Sequence, residues 1–349
     1  MSGISPAVIP PLLAWYDAGH RDLPWRTHPT PYRVWVSEIM LQQTRVEAVR
    51  GYFDRWMQAL PDIPALAAAE EAVYMKLWEG LGYYSRVRNL HRAAAEVCAQ
   101  YGGELPADYD KLLALPGVGD YTAGAVASIA FGMPVPAVDG NVLRVAARLD
   151  NDFTPITDAK YKRQVRERFA ALMPADRPGD LNQSLMELGA TVCLPNGAPR
   201  CGDCPLQHLC LGFHHGNAAT LPIRTAKKAR RVENRTVLLV RCGTRVGITR
   251  RPANGLLAGL WELPALEGHL SPDETRAALA AQGRQVQHLL SLRPAKHVFT
   301  HVEWHMNGYY VELTAQPDGL TFVSPADLRA SYALPSAFRS FLSVIEEEI

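Results

Sequence analysis

Apolar residues recur at helical spacing through residues 1–215 and at strand spacing after about residue 233. Ala65 to Gly80 is alanine-rich with Leu66, Val73, Leu77 and Trp78 on one face, which predicts one helix. Leu90 to Tyr101 predicts another, and Asp158 to Met173 an amphipathic one with a basic face around Val165 and Phe169. Val142, Val145, Ala146 and Leu149 form the apolar face of a helix that follows Asp139. Trp35, Ile39, Val46 and Val49 form that of a helix with Glu38 near its start. Gly and Pro separate these segments at Pro61, Pro64, Gly102-Gly103, Pro134, Pro136, Pro174 and Pro178. Thr236–Val240 and Arg245–Thr249, either side of a Gly turn, and His305–Leu313 read as strands. Asp273 to Gln282 reads as a short helix opened by Pro272. The expected organisation is a helical domain over 1–215, a basic linker over 216–232 and an α+β domain over 233–349.

The chain has 349 residues, 48% hydrophobic and 20% charged, an ordinary globular balance that excludes disorder, collagen and coiled coil. No apolar run reaches the roughly 18 residues of a membrane span. The first residues lack the basic and apolar regions of a signal peptide, so a cytoplasmic place is expected. The net charge of +1 hides a segregation: residues 216–251 carry +9 between blocks of −3 and −5. That island suits a polyanion as well as it suits a solvated linker.

Four of six cysteines cluster: Cys193, Cys201, Cys204 and Cys210. In a reducing compartment they point to a metal or iron–sulfur site rather than disulfides. Zinc sites usually use two C-x2-C pairs, and here Cys201 and Cys204 form the one such pair. Four thiolates suit a 4Fe–4S cluster at least as well, while His208 keeps a mixed zinc site open.

Three segments could carry chemistry. Leu112-x-x-Leu115-Pro116-Gly117-Val118-Gly119-Asp120-Tyr121-Thr122-Ala123 predicts a tight helix–hairpin–helix turn. The free N–H groups of its second helix would suit phosphate. Such contacts position a nucleic acid without reading its sequence. Asp139 caps the next helix, an ordinary task for Asp unless a DNA backbone lies close. Glu38 lies among apolar residues in Ser37-Glu38-Ile39-Met40-Leu41-Gln42-Gln43-Thr44, where a carboxyl can be desolvated and its pKa raised.

Together these motifs resemble the helix–hairpin–helix DNA glycosylases that carry an iron–sulfur cluster. The Ser37–Thr44 segment, Tyr121 where endonuclease III has its lysine nucleophile, and the second domain resemble the adenine-removing members of the MutY type. Glu79-Gly80-Leu81-Gly82-Tyr83-Tyr84-Ser85-Arg86, Leu181-Asn182-Gln183 and residues 251–261 carry the resemblance further. It departs in three places. Cys193 and Cys201 are separated by seven residues where the family usually has six; Leu143 stands where some members have lysine; Phe299-Thr300-His301 replaces a Phe-Ser-His element. The second domain resembles the Nudix (MutT-like) fold, but its helix near Glu274 has one Glu where metal-dependent hydrolysis needs several.

The resemblance implies a DNA repair enzyme that flips adenine from a mispair with 8-oxoguanine or guanine and hydrolyses its glycosidic bond. Glu38 would be the general acid and Asp139 the stabiliser of the sugar cation, with Asn141 and Tyr121 orienting them. Gln43, Thr44, Leu81, Tyr83, Gly117, Gly119, Gln183, Phe299, Thr300 and His301 would contact DNA. Cys193, Cys201, Cys204 and Cys210 would hold a 4Fe–4S cluster. The partner would be duplex DNA bound by a monomer at the bacterial nucleoid, with no membrane. An endonuclease III-like activity on oxidised pyrimidines, a Nudix hydrolase with an accessory domain and a damage-binding protein without turnover are the alternatives.

Overall fold

The computed structural model describes residues 4–195, 197–225 and 229–347. Lys227 and Lys228 of the basic linker lie outside the described residues. The chain divides into two compact units: residues 1–68 with 88–226, and residues 69–87 with 227–349. This differs from the expected contiguous division. The helical half lends residues 69–87 to the second unit, and Leu221 of the supposed linker is buried in the first. Arg148 Nε donates to the Leu221 carbonyl at 2.9 Å, and Ile156 N to that of Ile223 at 3.1 Å.

The helices in chain order are α1 (Ile9–Gly19), α2 (Pro24–Thr27), α3 (Pro31–Leu41), α4 (Val46–Ala59), α5 (Ile63–Ala68), α6 (Glu71–Leu77) and α7 (Ser85–Tyr101). Then come α8 (Tyr109–Ala114), α9 (Asp120–Phe131), α10 (Gly140–Leu149), α11 (Ala159–Ala170), α12 (Pro178–Thr191) and α13 (Leu211–His214). The helix expected over Ala65 to Gly80 is broken. Glu70 is extended at ψ 150°, and the chain passes there from one unit to the other. Leu66 is therefore buried in the first unit and Tyr74 in the second, while Val73, expected on the apolar face, is exposed. The helix of Glu38 also differs from expectation. Thr30 caps it, Pro31 opens it and it ends at Leu41, so Glu38 lies in its second half. Val46 and Val49 belong to the next helix, whose N-cap is Arg45.

Helices α1, α10, α11 and α12 share one core, with Leu12, Val145, Ala146, Val165, Phe169, Leu185 and Leu188 buried in it. The face expected for α10 is buried, but so are Leu143, Arg144, Ala147 and Arg148, so the helix is enclosed on every side rather than on one face. Asp139 caps this helix, its Oδ1 accepting from Val142 N at 2.8 Å.

The second unit is built on a mixed sheet of β1 (Arg231–Cys242), β2 (Arg245–Arg250), β3 (Trp261–Glu262), β4 (Ala265–Glu267), β5 (Val286–Val298), β6 (Val302–Leu313) and β7 (Thr321–Val323). The order is β3-β2-β1-β6-β5, with β4 on β1 and β7 on β2. The pair β1–β6 is parallel, Val237 facing Gly308, and the other pairs are antiparallel. Alternation along β1 fills two cores. Val237 and Leu239 join Trp304, Phe338 and Phe341 on one face; Leu238 and Val240 join Tyr309, Val311 and Leu279 on the other. Leu279 belongs to α14 (Pro272–Ala281). Phe341 and Leu328 belong to α16 (Arg339–Glu347) and α15 (Pro325–Ser331). The sheet is thus covered by helices on both faces.

Candidate active site

In the first unit α2, α3, α9, α10 and α12 surround a cavity of about 570 Å³. Its lining includes Glu38, Tyr121, Asp139, Asn141, Gly119, Gln43, Thr44 and Gln183, residues from separate motifs that folding brings together. Glu38 is only 5% exposed. Burial pushes its carboxyl up to about 7, and the neighbouring Asp139 adds to this while the Tyr121 hydroxyl works against it. Tyr121, in the first turn of α9, donates its hydroxyl to Glu38 Oε2 and also lies 3.4 Å from Met186 Sδ. Burial and the two carboxyls keep its phenol well above the ordinary range.

Asp139 is raised by burial too, but its charged form is served by N–H donors: Val142 N at 2.8 Å, Asn141 Nδ2 at 2.6 Å and the Asn141 backbone. Asn141 is held in turn. Arg144 Nη2 donates to its Oδ1 at 2.8 Å, and Arg144 Nε donates to the carbonyl of Cys193 at 2.7 Å. A continuous chain of hydrogen bonds therefore runs from the cysteine loop to the Asp139 carboxylate. Composition and spacing had not marked Arg144, because a buried arginine in an apolar helix looks like an exposed charge in sequence.

The opposite wall is polar in a way also missed. Glu187, buried on α12, accepts from Arg21 Nε at 2.6 Å and from Arg26 Nη2 at 2.9 Å. Burial raises its carboxyl, but Arg21 and Arg26 more than offset this and hold it below the usual range. Arg26 Nε reaches Gln183 Oε1 at 3.1 Å, and Trp25 completes the wall. The i, i+4 spacing of Gln183 and Glu187 on one helix face was the available signal.

The hairpin forms between α8 and α9 as expected. Gly117 has φ 76°, and a Cβ there would lie 2.6 Å from Asn89 Cβ, so only glycine fits. Gly117 and Gly119 are exposed, Gly119 as N-cap of α9. Gln43 is exposed with φ 57°, in the turn that ends α3. Gln42 Nε2 anchors this turn to Thr122 Oγ1 at 3.2 Å, and Thr44 Oγ1 donates to Gln42 O.

Cys193, Cys201, Cys204 and Cys210 line one recess with Arg148, and none is in a disulfide. His208 is exposed and does not line it. Among the described residues no three His, Cys, Asp or Glu side chains gather as ligands of a single metal ion. The donor set fits a cluster in its chemistry: burial raises the thiols of Cys201, Cys204 and Cys210, and the nearby thiols raise them further. As thiolates they would need a cationic centre between them. Arg148 Nη1 already donates to Cys193 Sγ at 3.1 Å.

In the second unit, Phe299, Thr300 and His301 form the three-residue loop between β5 and β6. Thr300 and His301 are exposed. Phe299 instead packs edge-on against Trp304, with ring centroids 4.8 Å apart, and so supports the loop. The Gly80–Tyr84 turn belongs to the same unit. Tyr83 is 43% exposed and held at φ 47°, a left-handed conformation unusual for a tyrosine. Arg86 Nη2 secures the turn through the carbonyls of Leu81 and Gly82 at 3.0 and 3.1 Å. Leu81, expected at the DNA surface, is buried, so its side chain packs inward. Glu274, the one glutamate of α14, is engaged in a capping box with Ser271. That leaves it committed to the helix end rather than to metal.

A family model for the "HhH-GPD superfamily base excision DNA repair protein" matches residues 36–173, and one for the NUDIX domain matches residues 236–344. The adenine DNA glycosylase of Mus musculus is 35% identical, covering 95% of this chain and 77% of its own. That of Homo sapiens is 34% identical over 95% of this chain and 73% of its own; that of Mycolicibacterium smegmatis is 40% identical over 67% and 80%. Among solved structures, a thermostable thymine-DNA glycosylase is 27% identical with a TM-score of 0.53, covering 60% of this chain and 96% of its own. A non-covalent endonuclease III–DNA complex is 25% identical with a TM-score of 0.52, covering 61% and 98%.

Proposed function

Since the chain belongs to the adenine DNA glycosylases, base-excision-repair enzymes that remove adenine from DNA, we propose that its cavity hydrolyses the glycosidic bond of adenine paired with 8-oxoguanine or guanine. The observation that carries this reading is the buried Glu38, which accepts from Tyr121, with Asp139 lining the same cavity. A base inside a duplex is out of reach, so the adenine must flip out, at a cost of a few kcal/mol. Tyr83 and Gln43, both exposed and both in strained turns, are suited to fill the gap it leaves.

Glu38, with its carboxyl near 7, can hold a proton at neutral pH and pass it to a ring nitrogen of the base, so that neutral adenine departs. The sugar is left with cationic character. The Asp139 carboxylate, its charge supported by Val142 N and Asn141, stabilises that cation. Glu38, now ionised, takes a proton from the attacking water. Tyr121 orients Glu38 throughout. Gly117, Gly119 and the start of α9 grip phosphate without reading sequence. Thr44 and Gln183 line the cavity.

Cys193, Cys201, Cys204 and Cys210 would hold a 4Fe–4S cluster, which supplies a fixed loop and, for hydrolysis, no redox step. Through Cys193, Arg144 and Asn141 the same loop steadies Asp139. Thr300 and His301 are the exposed polar groups we assign to reading the base opposite the adenine.

The test is incubation with duplexes carrying adenine opposite 8-oxoguanine, adenine opposite guanine, or thymine glycol, followed by hot alkali. Strand cleavage at adenine in the first two, and only after alkali, is expected. Tyr121 and the buried Leu143 replace the lysines that would form a Schiff base, so the direct product is an intact abasic site. Release of thymine glycol in place of adenine would overturn the reading.

A further inference from the structure

Residues 69–87 are remote in sequence from the mixed sheet, yet they pack as part of its unit. Two side chains, one in the last turn of α6 and one just beyond it, make that attachment directional. Lys76 Nζ donates to the carbonyl of Tyr332 at 3.1 Å, and Glu79 Oε1 accepts from Leu334 N at 2.7 Å. They also pair with each other at 2.6 Å. As an i, i+3 surface pair this last contact would contribute little. The two bonds to backbone differ in kind, because they grip both polarities of one short segment, 332–334, and so fix position as well as distance.

The Gly80–Tyr84 turn begins at the residue after Glu79. Gly80 at φ 99° and Gly82 at φ 71° set its path, and Trp78 Nε1 and Arg86 Nη2 tie down the Gly82 carbonyl. At its far end the Tyr83 hydroxyl is 2.8 Å from Thr300 Oγ1. One short stretch therefore joins two anchors: the 332–334 backbone and the loop between β5 and β6. A shift at Glu79 has little slack to absorb it before it reaches Tyr83 and Thr300.

We propose that Lys76 and Glu79 are positioning residues for discrimination of the base opposite the adenine. They seat the Gly80–Tyr84 turn so that Tyr83 holds the Thr300 hydroxyl in one orientation. The proposal rests on the reading that Thr300 and His301 face that base. A hydroxyl with one hydrogen bond committed to Tyr83 offers fewer orientations to a base edge. Guanine presents N7 as an acceptor there, whereas 8-oxoguanine presents N7–H as a donor, so orientation matters to the choice.

The experiment uses the full chain with its cysteine loop loaded, in the variants Glu79→Ala, Glu79→Gln, Lys76→Met, Lys76→Arg, Thr300→Val and His301→Ala. Single-turnover base release is measured on adenine opposite 8-oxoguanine and opposite guanine, and hydrogen exchange is followed in peptides covering 80–84 and 299–301. Glu79→Ala and Lys76→Met are expected to narrow the rate ratio between the two duplexes roughly three- to tenfold, the range for one lost hydrogen bond. Both should quicken exchange in both peptides. Glu79→Gln keeps an oxygen acceptor for Leu334 N and Lys76→Arg keeps a donor, so both should retain most of the ratio. An unchanged ratio in Glu79→Ala and Lys76→Met, with or without faster exchange, overturns the proposal. So does an equal loss in Glu79→Gln, which would make charge rather than position the cause. If Thr300→Val and His301→Ala also leave the ratio intact, the assignment of the reading loop itself has failed.

Discussion

The two units differ in where they place the polar residues assigned to function. The helical unit buries polar side chains: Glu38, Arg144, Arg148, Asn182 and Glu187 are all under one-tenth exposed, each with a defined partner. The sheet unit leaves Tyr83, Thr300 and His301 exposed and packs the half-buried Phe299 against the buried Trp304 beneath their loop. Proton transfer needs a carboxyl whose pKa has been moved, and burial is what moves it. Recognition of a base needs hydrogen-bonding groups that are still free to meet it. On the proposed reading, one unit is organised for chemistry and the other for contact.

The sharpest break comes from the buried carboxyls. Glu38→Gln cannot donate a carboxyl proton, and Asp139→Asn offers no charge to the sugar cation. Each should slow single-turnover base release by at least about a hundredfold while mispair binding persists. Near-normal rates in either would remove that residue from the mechanism. Next is Arg144→Met, which strips the donors from Asn141 and from the Cys193 carbonyl. Charge-assisted bonds of this kind are worth about 1.5–3 kcal/mol, so roughly a ten- to hundredfold loss of base release is expected and, for the proposed cluster, quicker loss of iron on chelation. An effect on iron with no effect on rate would uncouple the loop from Asp139.

His301→Ala probes the other unit. It should narrow the preference for 8-oxoguanine over guanine about tenfold or more, as for one good base contact, and leave non-specific binding alone. Truncation near Arg224 is a coarser version, because it also deprives residues 69–87 of the unit they pack in.

The smallest effects are in pH. With Glu38 at about 7, base release should fall about tenfold per pH unit above that value, equally for both mispairs, because the same acid serves both. A preference that changed with pH would place a titrating group in the reading loop. The same raised pKa lowers folding stability. The folded state binds a proton that the unfolded chain, with an ordinary value of 4.5, releases. The cost therefore appears as pH rises from about 4.5 to about 7 and stays constant above. Glu38→Gln removes a penalty of at most about 3 kcal/mol, less its bond to Tyr121. Its Tm should exceed that of the parent at pH 8, with the gain vanishing below pH 4.5. An equal or lower Tm at pH 8 would mean that Glu38 is not strained by burial.

Much of this was legible before folding. The period of apolar residues marked several of the helices and three of the strands, because the alternation that β6 buries is written in the spacing itself. The hairpin, the capping Asp139 and the four cysteines were readable because each is a local pattern: a glycine at φ 76°, a side chain bonding its own helix, a short loop. Tertiary structure decided what depends on distant residues. It gave Tyr121 as the hydrogen-bond partner of Glu38, and it set the environment that moves the carboxyl to about 7. It broke the alanine-rich helix at Glu70 and assigned its second half to another unit, because a helix face is buried only by what happens to pack on it. It turned Leu81 inward and Phe299 into a support, and it joined Tyr83 to Thr300 across 217 positions. Local pattern specifies which elements form; which side chains meet between them is settled only when those elements pack.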